Sequence, residues 1–112
     1  MNIQIYCGKK NFDTQKAERY FKERRIPVQL IDLKKHVPGE REIRLILQNV
    51  GMEQLIDRED KRVREHPACY YNQENLVISA IQEAPWLLKT PVVRNGNKIT
   101  VGYHPEIWEQ WT

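Results

Sequence analysis

Ile3 and Ile5 alternate with polar neighbours at the start of the chain, the period-two pattern of a short strand from about Asn2 to Tyr6. A polar loop, Cys7-Gly8-Lys9-Lys10-Asn11, follows. From Asp13 the period lengthens, and Ala17, Tyr20 and Phe21 fall on one helical face. Asn11 or Asp13 is the expected N-cap, since either side chain accepts a bond from an orphan helix amide. Pro27 predicts a helix end near Arg25, because it disfavours helical geometry at Ile26. Val28 to Leu33 is rich in branched apolar residues and reads as a second strand.

Pro38-Gly39 then breaks the chain, and Glu40 and Glu42 open a helix carrying Ile43, Ile46, Leu47 and Val50, with Gly51 as its stop. Met52 to Tyr71 is dense in charge and weak in apolar period, which predicts only short helices. Asn72 is a candidate cap for a helix through Val77, Ile78 and Ile81 that ends before Pro85. Two apolar runs, Pro91-Val92-Val93 and Ile99-Thr100-Val101, flank Asn95-Gly96, a strong hairpin signal. A last helix from about Pro105 to Trp111 presents Ile107, Trp108 or Trp111 to the sheet. The order β-α-β, helices, β-β-α predicts a layered α/β domain with a mixed sheet.

Composition narrows the function classes. The chain has 112 residues, within the range of one domain. Its net charge of +3, from 18 basic and 15 acidic side chains, is too mild to argue for nucleic acid. No apolar stretch approaches the roughly 18–20 residues that span a bilayer, and the N-terminus lacks a signal-peptide pattern. A soluble, cytoplasmic monomer is expected, with no membrane association. Cys7 and Cys69 are too few and too far apart for a disulfide framework and make no Cys-x-x-Cys pair. His36, His66 and His104 show no metal-ligand spacing with them, and no Gly-rich phosphate loop occurs, so no metal and no cofactor are expected.

Three stretches, in this order and at these separations, resemble the arsenate reductase (ArsC)/Spx family. They are Ile5-Tyr6 followed by Lys10 to Ala17, then Leu87 to Val93, then Val101-Gly102-Tyr103 leading into the last helix. The resemblance implies a thioredoxin-like fold over residues 1–112, with thioredoxin-like parts at about 1–35 and 86–112 and a helical insert at about 40–85. It also implies a cis-proline element at Thr90-Pro91, which either preserves the fold alone or keeps a peptide groove.

The family's chemistry depends on a cysteine at the start of the first helix, where helix amides stabilise the thiolate. By the resemblance that position falls on Asn11, or on Phe12 in a register one residue later. The partner position, a second cysteine in some redox members, falls on Thr14. The arginines that clasp the oxyanion in arsenate-reducing members correspond here to Thr90, Tyr103 and a position near Asp57, where a carboxylate would repel an anion. The resemblance therefore implies a retained groove formed by Lys10, Asn11, Phe12, Thr14, Thr90, Pro91 and Tyr103. It implies a protein partner, as in the Spx branch, rather than a reaction.

Cys7 is the alternative. Lys9 and Lys10 beside it are expected to lower its pKa, which would suit a thiol oxidoreductase working through Cys7 or an external thiol such as glutathione. A replacement of a once-active cysteine by Asn11 is a third reading.

Overall fold

A computed structural model describes residues 1–111. Its backbone follows the pattern in the sequence. The elements are β1 (Ile3–Cys7), α1 (Phe12–Glu23), β2 (Val28–Asp32), α2 (Glu40–Val50), α3 (Met52–Leu55), α4 (Lys61–Arg64), α5 (Glu74–Glu83), β3 (Val92–Asn95), β4 (Lys98–Val101) and α6 (Pro105–Trp108). Single 3₁₀ turns lie at Pro67–Tyr70, Pro85–Leu87 and Glu109–Trp111.

The four strands lie in the order β2-β1-β3-β4. β1 pairs parallel with β2 and antiparallel with β3, and β3 pairs antiparallel with β4. This mixed sheet is covered on both faces. Ile3, Ile5 and Val93 point to one side, where Ala17, Tyr20 and Phe21 of α1 and Trp108 of α6 close over them. Tyr6, Val92, Ile99 and Val101 point to the other, against α2, α5 and the short helices between them. The alternation along a strand has period two, so neighbouring residues feed opposite cores.

Trp108, 1% exposed, is the residue of the last helix that meets the sheet, and its indole N–H donates to the Thr100 hydroxyl at 2.8 Å. Ile107 stays 37% exposed and Trp111 packs only at the margin. The charge-dense middle supplies more core than its weak period suggested: Leu55, Ile56, Val63 and Ala68 are all buried. Four-residue helices show no period, so each contributes one or two anchors that only the fold aligns.

One local expectation is sharpened and two change. α1 stops near Arg25 as expected, but the backbone conformation of Arg25 itself, and not only Pro27, builds the end. Arg25 has φ +57°, its N–H donates to Lys22, and the Ile26 N–H donates to Phe21. These paired bonds satisfy two orphan carbonyls in the Schellman pattern that glycine usually serves. Asn72 does not cap α5. Gln73 occupies that position and makes no side-chain cap bond. The hairpin loop is Gly96-Asn97, with Asn95 paired to Lys98 inside the ladder. Gly96 has φ +63° and Asn97 does not share the positive sign, the arrangement of a type II′ turn.

α2 is tied to the sheet by Tyr6, whose hydroxyl donates to Glu42 at 2.6 Å. Glu42 also accepts from the Gly39 N–H at 2.9 Å, holding the first turn of α2. Burial, and next the Glu42 hydrogen bond, push the Tyr6 phenol up to about 12.

Two predictions follow from this packing. Arg25→Gly removes the Cβ cost of the left-handed conformation and should stabilise the protein by about 0.5–1 kcal/mol, read from the urea midpoint. Tyr6 holds its proton more tightly folded than unfolded, where its pKa is near ~10. Its contribution is therefore complete below about pH 10 and is lost as pH rises through about 12, amounting to about 2–3 kcal/mol. Alkaline urea titration should show a shallower loss in Tyr6→Phe than in the natural protein.

Candidate functional site

The end of β1 delivers the chain to a short polar loop, and the next residue able to cap a helix is Asn11. Asn11 is the N-cap of α1: its side-chain oxygen accepts from the Thr14 N–H at 2.7 Å. Its amide nitrogen reaches across to Thr90, donating to the hydroxyl at 3.2 Å and the carbonyl at 3.4 Å. The Thr90–Pro91 bond is cis. One side chain thus caps a helix and joins it to the segment entering β3, across 79 positions of sequence.

A surface cavity of about 370 Å³ opens beside Asn11, Phe12 and Thr90. The other groove residues expected from the sequence do not line it. Lys10 points to solvent. Thr14 is 7% exposed under the first turn, its hydroxyl without a partner among the described residues. Pro91 is buried, and Tyr103 packs edge-on against Trp108 at 5.6 Å with Lys16 over its ring. Tertiary packing withdraws Thr14, Pro91 and Tyr103 from the opening. Phe12, in contrast, is 79% exposed at its lip.

Sequence reasoning missed how the charges meet. Lys9 binds Asp57 at 2.8 Å and also contacts Asp60, locking the β1–α1 loop to the insert. Asp57 therefore does not stand alone as the repulsive group the sequence suggested. Burial pulls the Lys9 ammonium down, but its bonds to the two carboxylates outweigh this and hold it above its ordinary value. The Lys9 bond in turn holds Asp60 below the usual carboxylate range. Asp13 and Glu59 add two more carboxylates to the lining, against Lys9 and Lys89. The opening is acidic on balance and suits an oxyanion poorly. No signal in the sequence pairs Lys9 with partners about fifty residues away.

Cys7 lies on the α1 face of β1, and its thiol is 3.7 Å from the Ile31 carbonyl oxygen. Burial, then the charges of Asp32 and Glu18, push it up rather than down. The expected help from Lys9 and Lys10 fails because Lys9 is engaged elsewhere and Lys10 is directed to solvent. Cys69 donates to the Val63 carbonyl at 2.7 Å inside the insert. His66 and His104 serve local structure: one accepts from the Ala68 N–H, the other bonds Val101 and Glu106. No cluster that would hold a metal ion occurs among the described residues. No helix among them is long and apolar enough to cross a membrane.

The model of the ArsC family matches residues 6–111. The chain belongs to the ArsC family. Among solved structures, the arsenate reductase from Vibrio cholerae superposes with a TM-score of 0.82 at 19% identity, covering 98% of this chain and 97% of that one. An arsenate reductase (ArsC) related protein from Brucella melitensis is 27% identical, with a TM-score of 0.68, over 99% and 94% of the two chains. No curated protein matches the sequence. This ArsC-family chain therefore has the thioredoxin-like fold that the resemblance implied.

Asn11→Ala removes the cap of α1 together with the bond to Thr90. It should lower stability by about 1 kcal/mol, within the range of about 0.5–2 for cap losses, read from the urea midpoint. Asn11→Asp keeps the acceptor and should lose less.

Proposed function

We propose that this protein is an ArsC-family member without the family nucleophile, which acts by binding a protein partner through the face around Asn11 and Thr90. The observation that carries the reading is the position of Asn11. It caps α1 and bonds to Thr90 immediately before Pro91, and by resemblance this is where the family's reactive cysteine falls. An amide is neither a nucleophile nor a disulfide former, so the structural half of the cysteine's place is kept and the chemical half is not.

The surroundings support the same reading. Thr90 and Tyr103 stand where the resemblance expects oxyanion-binding arginines, and the cavity beside Thr90 carries four carboxylates. A tetrahedral oxyanion would meet net repulsion there. The thiol-oxidoreductase alternative gains nothing from Cys7, whose pKa is raised by burial and whose neighbours Asp32 and Glu18 oppose its thiolate. A binding role of the kind found in the Spx branch needs neither group, and it suits a cytoplasmic protein.

Asn11→Cys tests the reading directly. A thiol at the N-terminus of α1 should alkylate with a midpoint well below the ordinary ~8.5, because helix amides favour the thiolate. Cys7 in the natural protein should titrate above that value, because burial raises it. A fast-reacting thiol at low pH in the natural protein, or an ordinary one in Asn11→Cys, would overturn the proposed site.

A further inference from the structure

Behind the Lys9 bridge lies a second cavity, of about 350 Å³, on the α2 side of the sheet. Its floor is apolar. Leu33 comes from the end of β2, Pro85 and Trp86 from the turn after α5, and Leu88 from the stretch that returns toward Thr90. A volume of this size falls within the range of built ligand sites and can take one large side chain.

The rim has the opposite character. Lys34 and Arg62 stand at the mouth, and neither forms a salt bridge among the described residues. Lys9 is present too, but its charge is taken up by Asp57 and Asp60. The Arg62 guanidinium lies over the Trp86 ring, 4.2 Å from its centroid. Trp86 is held edge-on by His66 at 5.7 Å and is still 37% exposed. A guanidinium held over an aromatic face can still offer N–H donors to a carboxylate. Lys35 and Lys61, both exposed next in sequence, extend the positive field. This charge is opposite in sign to that of the cavity beside Asn11, although the two openings share Lys9, Asp60 and Thr90.

We propose that this cleft binds a partner protein's segment in which one large apolar side chain is flanked by carboxylates. The apolar side chain enters between Leu33, Trp86 and Leu88, and the carboxylates meet Lys34 and the stacked Arg62. Charge complementarity selects an acidic segment over a basic one. The floor alone would accept any apolar group, so the rim sets specificity. The proposal rests on the partner-binding reading above and supplies the chemistry of the partner. It uses residues that do not include Asn11, so the Asn11→Cys titration and the binding described next can fail independently.

The test uses three blocked tripeptides added to the isotope-labelled full chain: glutamyl-phenylalanyl-glutamate, lysyl-phenylalanyl-lysine and glutamyl-alanyl-glutamate. The first should shift the Trp86 indole resonance and the amides of Leu33 and Leu88. It should bind at least about tenfold more tightly than the other two, and more weakly as salt rises. Arg62→Glu or Lys34→Glu should each weaken it about tenfold, while Lys98→Glu on the distant hairpin leaves it unchanged. Both rim residues are exposed, so the charge reversals leave the fold intact, as an unchanged amide spectrum would show. Equal binding of the lysine peptide, shifts centred away from the cleft, or no shift at millimolar peptide would overturn the proposal.

Discussion

The structure depends on β1, a strand buried on both faces and the one that joins the parallel half of the sheet to the antiparallel half. It lies between β2 and β3, parallel to one and antiparallel to the other. Ile3 and Ile5 are sealed beneath α1 and Trp108, while Tyr6 reaches the other core and bonds Glu42. A slip of one residue would exchange these two sets and leave a phenol without its acceptor. Register is therefore held by packing on both sides and by one hydrogen bond. The direction in which the chain leaves the sheet at Cys7 follows from it.

That exit sets the geometry of the candidate site. The loop after β1 is short, so α1 must begin close to the strand's end, beside the segment that enters the neighbouring β3. Asn11 closes this gap with a cap bond and a cross-link to Thr90. Lys9, two residues earlier, closes the gap to the insert through Asp57 and Asp60. The two contacts together separate an acidic opening from an apolar one with a basic rim. A single loop thus organises both surfaces.

Element type was readable wherever periodicity ran long enough. Alternation marked β1, a helical face marked α1 and α2, and Gly51 stopped α2 as its position suggested. The N-cap was narrowed to Asn11 or Asp13, because both side chains carry the needed acceptor. Ends governed by single backbone conformations were less readable. Arg25 adopts a left-handed conformation that its residue type does not advertise, and Gly96 rather than Asn95 opens the hairpin loop. The short helices of the insert lack a period, so their buried anchors could not be told from surface residues.

The sequence by itself determined the order of elements, the mixed α/β class, the family likeness and the amide at the start of α1, because each is carried by local pattern or residue identity. Tertiary structure decided which side chains share a surface. It paired Lys9 with carboxylates about fifty residues away, withdrew Thr14, Pro91 and Tyr103 from the opening, and raised rather than lowered the Cys7 thiol. These outcomes depend on burial and on distances between remote segments. Neither is written in the spacing of residues along the chain.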